Sequence, residues 1–328
     1  MEYRRLGRTG REVSTIGFGA WAIGGADWGE VSDDDSLRAL HAAAEAGVTF
    51  IDTADVYGDG RSERVIARFL AERAGEEFFV ATKMCRRGPL DPVTYTPEQF
   101  RAWLDRSREN LRVETIDLVQ LHCPPTGTYY LPEVFAALDE LVADRVIANY
   151  GVSVEKVEEA LKAIEFPGVA SVQIIFNMFR QRPAERFLAE AARRDVGVIV
   201  RVPLASGLLT GRMSAGTSFA ATDHRLYNRE GAAFDRGETF SGVDYATGLA
   251  AVEELRPLVP EGATVAQVAL RWILQHEGVT TTIPGAKTPE QARANAAAAD
   301  LAPLPAATME RVTAIYDERI RPLVHQRW

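Results

Sequence analysis

The segment FIDTADVYGDGRSE (residues 50–63) combines the end of a strand, a loop and the start of a helix. An apolar pair, Phe50 and Ile51, leads directly to Asp52, and Tyr57 follows five residues later. Gly-Asp-Gly then marks a turn, and the Ser-Glu pair after it is typical of the first turn of a helix. The segment therefore predicts a strand–loop–helix unit with a carboxylate and a phenol just past the end of the strand.

Similar strand-like segments recur along the chain and alternate with helical patterns. The predicted strands are 16–20, 48–52, 78–83, 116–122, 146–151, 170–175, 196–202 and 279–283. Between them, apolar residues recur at i, i+3 and i+4, most clearly in 134–142, 154–164 and 265–272. Strands that alternate with helices form parallel sheets. Eight units predict an α/β fold, a closed (β/α)8 TIM barrel with its active site in the loops at the carboxyl ends of the strands.

Two segments fall outside the repeating unit. Residues 2–15 predict an N-terminal β-hairpin before the first barrel strand, and residues 211–246 predict a long loop after strand 7, rich in Gly, Ser, Thr and Asp. A loop of that length in a compact fold is usually a lid or a binding segment. The chain shows no internal repeat or linker, so residues 1–328 are predicted to form a single barrel domain.

A doubly wound dinucleotide-binding sheet is the alternative architecture. Residues 17–22, GFGAWA, formally fit the G-x-G-x-x-G/A pattern. That pattern carries meaning only where a helix begins at once. Further glycines follow at positions 24, 25 and 29, and the first helical pattern begins at Asp33, which favours the barrel.

Composition narrows the classes of partner and compartment. A formal net charge of −9 gives no field that would gather nucleic acid or an anionic membrane. Cys85 and Cys123 are the only cysteines, too few for a disulfide framework or a Cys-rich metal site. The N-terminus lacks the apolar core of a signal peptide, and no apolar run approaches the roughly 18 residues of a membrane span. These features predict a soluble cytoplasmic protein.

Polar residues at the ends of three consecutive strands form the candidate catalytic group. Asp52 ends strand 2, Lys83 ends strand 3, His122 ends strand 4, and Tyr57 lies in the loop after strand 2. Each alone has an ordinary explanation as a turn cap, a solvated strand end or a structural histidine. Neighbouring strands of a barrel bring them to one side of the mouth, however, and the combination is far more specific.

The chemistry of these four residue types is that of proton transfer to a carbonyl. A free tyrosine has a pKa of about 10, and a nearby lysine ammonium is expected to lower the pKa of Tyr57. Asp52 would keep Lys83 charged in a buried site, and His122 could orient the substrate oxygen. Donating a proton to a developing alkoxide is half of a carbonyl reduction. The other half is a hydride, which requires a cofactor.

Six segments resemble the aldo-keto reductases, in that family's order and over nearly the whole chain. They are FIDTADVYGDGRSE, VATKM, DLVQLHCP, YGVS, PLASGLLTG and IPGAKTPEQARAN. The resemblance implies a catalytic tetrad of Asp52, Tyr57, Lys83 and His122. It also implies that NADP(H) binds in an extended form across the barrel mouth, without a Rossmann domain. No metal site is predicted.

The same resemblance implies a set of cofactor-binding residues. Ser153 and Gln173 would contact the nicotinamide, Lys287 the 2′-phosphate, and Gln291 and Asn295 the adenine. In the last segment, Thr288, Pro289 and Gln291 fit the N-cap, N1 and N3 positions of a capping box. The family often has Asn at the position of Val154 and a stacking Tyr at that of Arg201, so these contacts depart from its pattern. The remaining predicted cofactor residues are Pro203, Leu204, Ser206, Gly207, Leu208 and Gly285.

The function predicted from these features is NADPH-dependent reduction of aldehydes or ketones. The alternative is a redox-sensing or regulatory barrel that holds NADP(H) with little turnover. A metal-dependent hydrolase would need a cluster of His and carboxylate ligands at strand ends, which the sequence does not show. Aromatic residues are expected to line the substrate pocket: Trp21, Trp28, Tyr129 and Tyr130. Trp328 is expected to dock either on the outer helices or over the mouth beside the pocket.

Overall fold

The structure is a computed structural model that describes residues 1–25, 27–29 and 31–328. Its main sheet has eight parallel strands in the order β3 to β10. They are β3 Phe18–Gly19, β4 Phe50–Asp52, β5 Phe79–Met84, β6 Leu118–His122, β7 Tyr150–Ser153, β8 Val169–Ile175, β9 Gly197–Arg201 and β10 Thr281–Thr282. Two further strands, β1 Tyr3–Arg5 and β2 Glu12–Ser14, form the antiparallel N-terminal hairpin.

Parallel bridges between the first and last strands close the sheet. Ile16 pairs with Thr282, and Gly19 pairs with Gly285. The amide of Gly17 donates to the carbonyl of Thr282 at 2.8 Å. A Cβ atom at Gly19 would lie 2.5 Å from the carbonyl oxygen of Ile283, so this close approach requires glycine. The predicted barrel is therefore confirmed.

Most helices pack around the outside of the barrel, whereas the one-turn helices that begin at Trp21 and His224 lie at its mouth. They are α1 Trp21–Gly24, α2 Asp33–Glu45, α3 Arg61–Glu72, α4 Pro97–Leu111, α5 Pro132–Ala143, α6 Val157–Ala163, α7 Phe187–Arg193, α8 His224–Tyr227, α9 Tyr245–Leu255, α10 Val265–Leu274, α11 Pro289–Ala296, α12 Ala306–Ile315 and α13 Arg321–Val324. The apolar stripe of α10 is buried as its spacing predicts, through Val265, Val268, Ala269 and Trp272. None of the helices in the described part of the chain is long and apolar enough to cross a membrane.

The barrel has an inner core that the hairpin completes. Leu6 and Val13 are fully buried in one cluster with Phe50, Phe79 and Leu118 from the barrel strands. Since Phe50 and Phe79 begin their strands, the hairpin closes the amino-terminal end of the barrel. The opposite end, where Asp52 and His122 terminate their strands, is left for a functional site.

Three sequence-based expectations need correction. The fifth barrel strand covers Tyr150–Ser153 instead of 146–151. A one-turn helix begins at Trp21, within the glycine pattern of residues 17–22, so the expectation that the first helix begins at Asp33 was wrong, although the barrel itself is confirmed. The segment 211–246 contains α8 and two short 3-10 turns, Arg236–Glu238 and Phe240–Gly242, rather than loop alone.

Candidate active site

The ends of β4, β5 and β6 bring the predicted catalytic side chains together. Lys83 Nζ lies 2.6 Å from Asp52 Oδ2 and 3.3 Å from the Tyr57 hydroxyl. It also donates to the carbonyl of Thr53 at 2.8 Å. Lys83 is the penultimate residue of its strand, because β5 continues to Met84. Its three donors therefore all have oxygen partners, one of which is the tyrosine.

The loop that carries Tyr57 is shaped by glycine. Gly58 and Gly60 have φ values of 60° and 80°, in the left-handed region. A Cβ atom at Gly58 would lie 2.4 Å from the carbonyl oxygen of Gly24, so the loop packs directly on the end of α1. Below it, Ser62 at the start of α3 donates to the carbonyl of Ala20 at 3.1 Å. These contacts hold the phenol over Lys83.

The electrostatics keep a proton on Tyr57. Burial raises the pKa of Tyr57 above its usual value, and the opposing effect of the Lys83 ammonium does not reverse this. Lys83 does act to lower the pKa of Tyr57, as expected, but burial has the larger effect. Burial also disfavours charge on Lys83, but Asp52 and Tyr57 together raise the pKa of Lys83. The site thus pairs a neutral phenol with a lysine held in its charged form.

His122 faces the same cavity as a neutral imidazole. Burial lowers the pKa of His122 well below its usual value, and the nearby charges of Arg86 and Lys83 act in the same direction. Its ring meets the Tyr57 ring edge-on at 6.0 Å between centroids. A neutral imidazole beside a phenol can hydrogen-bond a substrate oxygen without adding charge.

Two buried amides complete the polar layer behind the tetrad. Gln173 Nε2 donates to Asp52 Oδ1 at 2.7 Å, and Gln120 Nε2 donates to the same oxygen at 3.2 Å. The sequence reasoning missed Gln120. A signal was available, because Gln120 lies two residues before His122 in a strand and so points to the same side.

A cavity of about 1000 Å³ opens at this end of the barrel. Of the tetrad, Asp52, Tyr57 and His122 line it, while Lys83 lies buried behind Tyr57. The predicted cofactor and substrate residues that line it are Gln173, Arg201, Pro203, Leu204, Ser206, Gly207, Gly285, Lys287, Gln291, Asn295, Trp21 and Trp28.

Besides Lys83, five predicted site residues do not line this cavity, and one of them, Tyr130, is exposed on the surface. Ser153 is fully buried, with its hydroxyl 3.6 Å from Cys123 Sγ. Leu208 packs under Gly248 of α9, and Tyr129 is fully buried in the outer hydrophobic core. Trp328 lies on the segment 235–242. Of these residues Ser153 ends a strand, and a small side chain at a strand end can turn into the core as readily as toward the mouth.

The C-terminal tryptophan is docked away from the cavity. Trp328 Nε1 donates to Asp235 Oδ1 at 2.9 Å, and the Arg180 guanidinium lies 4.1 Å from the centre of its ring. A Cβ atom at Gly242 would lie 2.5 Å from the same ring. The tail therefore fastens part of the long segment after β9 and forms no wall of the pocket.

Arg201 belongs to a network of four charged side chains. Its Nη1 lies 2.5 Å from Glu238 Oε2, and its Nη2 lies 3.0 Å from Glu155 Oε2. Arg86 joins at 3.4 Å from Glu155 and 3.7 Å from Glu238. In the described part of the chain, Cys123, Glu155 and Glu238 are the group whose spacing would suit a metal ion, but Arg201 already contacts all three. The arrangement favours an ion-pair network over a metal site.

The segment 211–246 covers one side of the cavity. His224 stacks on Trp21 at 4.9 Å between ring centroids, and Phe234 meets Trp21 at 5.9 Å. Asp27 accepts hydrogen bonds from Trp21 Nε1 at 3.1 Å and from the Tyr227 hydroxyl at 2.5 Å. Contacts across the cavity thus connect the loop after β3 with the segment after β9.

The N-terminus of α11 differs in detail from the predicted capping box. Thr288 caps the helix by accepting from the amide of Gln291 at 3.3 Å. The Gln291 side chain, however, accepts from the amide of Lys287 at 2.8 Å instead of that of Thr288. Lys287 Nζ donates to the carbonyl of Trp28, and burial lowers the pKa of Lys287. Asn295 donates to the carbonyl of Gly285 at 3.2 Å.

Sequence and structure comparisons assign the chain to a family. The model of the aldo/keto reductase family matches residues 15–317, so the chain belongs to that family. This makes it an NADP-dependent oxidoreductase.

Individual relatives cover nearly the full length. Aldo-keto reductase YhdN of Bacillus subtilis is 29% identical over 90% of this chain and 87% of its own. The glycerol dehydrogenase of Gluconobacter oxydans has a solved structure that matches with a TM-score of 0.77 and 30% identity, over 94% of this chain and 93% of that one. A probable voltage-gated potassium channel subunit beta of Arabidopsis thaliana is 28% identical over 93% of both chains.

Proposed function

We propose that the protein reduces an aldehyde or a ketone to an alcohol and that Tyr57 is the proton donor. One observation carries the proposal: Lys83 Nζ contacts both Asp52 and the Tyr57 hydroxyl, at 2.6 and 3.3 Å. The phenol is protonated at the start, as a general acid must be. The adjacent ammonium stabilises the phenolate that remains once the proton has gone to the substrate oxygen.

His122 and Tyr57 would share the substrate oxygen. Both line the cavity, and their rings meet edge-on. With the oxygen between them, the neutral imidazole and the phenol act as two hydrogen-bonding partners, and only the phenol gives up its proton. Asp52 contacts no substrate in this scheme and keeps Lys83 charged.

The residues that line the cavity suit a dinucleotide in their chemistry. One end has Asp52, Tyr57, His122 and Gln173, and the other has Lys287 with the N-terminus of α11. An ammonium beside a helix N-terminus favours a phosphate group. We propose that Lys287 binds the 2′-phosphate of NADPH, with Gln291 and Asn295 near the adenine and Gly207 beside the pyrophosphate. NADPH, when bound, supplies the hydride.

Other predicted residues are kept as proposals with altered roles. Ser153 is buried under the cavity wall, so we propose that Gln173 makes the direct carboxamide contact. Trp21 and Trp28 meet at 5.5 Å in an edge-on pair and line the cavity, and we propose them as walls of the substrate pocket.

Substitution of Tyr57 tests the proposal. Tyr57→Phe removes one hydroxyl and little volume, so it should abolish NADPH-dependent reduction across a panel of aldehydes and ketones while NADPH binding stays near the wild-type value. Turnover is followed by NADPH absorbance and binding by fluorescence titration. Wild-type-like turnover in this variant would remove Tyr57 from the mechanism.

A second candidate function is a regulatory barrel that holds NADP(H) with little turnover. The similarity to probable potassium channel beta subunits favours it. The same panel separates the two functions. Tight NADPH binding without turnover of any carbonyl compound would support the regulatory barrel, and turnover that depends on Tyr57 would support the reductase.

A further inference from the structure

Gln120 lies at the centre of the barrel directly behind the tetrad. It is fully buried on β6 and stands opposite Lys83 of β5 in the sheet register. Its Nε2 donates to Asp52 Oδ1 at 3.2 Å, and its Oε1 accepts from Gln173 Nε2 at 3.3 Å. Gln120 therefore touches two residues of the site while remaining out of reach of any ligand in the cavity.

The chemistry of Asp52 fixes the orientation of both amides. An ionised carboxylate only accepts hydrogen bonds, so Gln120 and Gln173 must each turn a nitrogen toward Oδ1. Gln173 Nε2 has two hydrogens, and these go to Asp52 at 2.7 Å and to Gln120 Oε1. The carbonyl is then the polar atom that Gln173 has left to offer to the cavity, which it lines.

We infer that Gln120 is a positioning residue for this reaction, an inference that rests on the proposed function. It holds Asp52 with Oδ2 toward Lys83, and it holds Gln173 as a hydrogen-bond acceptor facing the cofactor. A flipped Gln173 would turn its carbonyl oxygen toward the Asp52 carboxylate, and two acceptors would then face each other without a proton between them. Gln120 disfavours that flip by taking up the second hydrogen.

Two substitutions at Gln120 test the inference. Gln120→Met keeps the length of the side chain but has no polar hydrogen, and it should lower kcat by about tenfold, the effect of a lost hydrogen bond to a charged group. KM for the carbonyl substrate should hardly change. NADPH should bind about threefold more weakly in a fluorescence titration, since Gln173 is less well held. In a Gln173→Met background the further change in NADPH affinity should vanish.

Gln120→Glu gives a readout that a packing role would not. A protonated glutamic acid can donate to Asp52 as the amide does, but an ionised one repels it. The kcat of Gln120→Glu relative to wild type should therefore rise as pH falls, whereas the ratio for Gln120→Met should not vary with pH. This distinguishes loss of a donor from loss of shape.

Gln275→Met is the matched control. Gln275 also uses both ends of its amide, donating to the carbonyl of Leu304 at 3.0 Å and accepting from its amide at 2.8 Å. It lies past the end of α10, before β10 begins, and so at the opposite end of the barrel. Its substitution should lower the melting temperature and leave kcat, its pH profile and NADPH affinity unchanged.

Several outcomes would overturn the inference. They are wild-type kcat and NADPH affinity in Gln120→Met, a pH-independent ratio in Gln120→Glu, or the same loss of kcat in Gln275→Met. If the wild-type protein reduces no carbonyl compound, the proposed function fails separately. The NADPH titrations then decide the inference: equal affinity in Gln120→Met and wild type overturns it, and a loss that disappears in the Gln173→Met background supports it.

Discussion

Asp55 is a buried carboxylic acid whose environment should make the protein less stable as pH rises. It lies in the loop between β4 and α3, is fully buried, and neither of its side-chain oxygens has a hydrogen-bond partner among the described residues. Burial, with a smaller contribution from Glu63, raises the pKa of Asp55 from 3.8 to about 7. Arg87 and Arg106 oppose this shift without cancelling it.

The sign and size of the effect follow from the difference between the folded and unfolded states. The folded protein holds the Asp55 proton up to a pH of about 7, whereas the unfolded chain releases it near its ordinary pKa of about 3.9. The unfolded state therefore binds fewer protons between these values, and stability falls as pH rises through them. About three pKa units at about 1.4 kcal/mol each give a loss of about 4 kcal/mol in all.

Asp55→Asn should remove this dependence, because an amide does not ionise. Urea unfolding of both proteins at about pH 5 and about pH 8 should show wild type losing about 2.5 kcal/mol more than the variant over this range. The change in unfolding free energy between the two pH values is compared, rather than the free energy at one pH, because the asparagine amide would itself be buried without partners. Carbonyl reduction should persist in the variant, as Asp55 is not part of the tetrad.

Asp59→Asn is the control from the same loop. Asp59 is exposed, and hydrogen bonds from Arg87 and Arg106 lower its pKa. Its contribution to stability is therefore present above its unfolded pKa and is lost as pH falls, the opposite sign to Asp55. If Asp55→Asn showed the same change in unfolding free energy between the two pH values as wild type, the carboxyl of Asp55 would have a partner or a solvent contact that contradicts this reasoning.

Three further outcomes are expected. Lys287→Ala should weaken NADPH binding by about ten- to a hundredfold, because a charge-assisted contact to phosphate is worth about 1.5–3 kcal/mol. It should leave NADH binding nearly unchanged, and equal weakening of both would place the phosphate elsewhere. Trp328→Ala should lower the unfolding free energy by about 3 kcal/mol, because a large buried side chain is removed. Substrate preference should stay unchanged, because Trp328 packs away from the cavity, and a shifted preference would contradict that position. Glu238→Gln removes one of the negative charges beside Arg201. It should therefore weaken binding of NADP⁺, whose nicotinamide ring is cationic, more than binding of NADPH. Titrations that show the same change for both would argue against Arg201 facing the ring.

The parts of the fold that could be predicted are those that local pattern determines. The alternation of strands and helices predicts the eight parallel strands, and the polar residues at or next to the ends of β4, β5 and β6 predict the cluster of Asp52, Lys83 and His122. Strand ends are predictable because the apolar run stops where the chain leaves the sheet. The boundary of β7 was less accurate, since residues 146–149 are as β-rich as the strand itself.

Side-chain direction could not be predicted from those patterns. Ser153 and Gln173 stand opposite each other on β7 and β8, yet only Gln173 reaches the cavity. A serine is short and satisfies itself against the neighbouring strand, where Cys123 lies 3.6 Å away. The direction of the pKa shift of Tyr57 could not be predicted for a related reason. Lys83 lowers this pKa as expected, but burial raises it by more, and burial is a property of the whole fold.

The buried guanidinium of Arg201 is explained by the residues around it. An unpaired guanidinium in this wall would be a buried positive charge, which is strongly unfavourable. Glu155 follows β7 and Glu238 comes from the segment after β9, and together they balance it at 3.0 and 2.5 Å. Because Glu238 also accepts from the Ser206 hydroxyl through its carbonyl, at 3.0 Å, the same residue fixes the covering segment to the cavity wall. The charge at Arg201 and the position of that segment are therefore coupled, and a change in either alters the other.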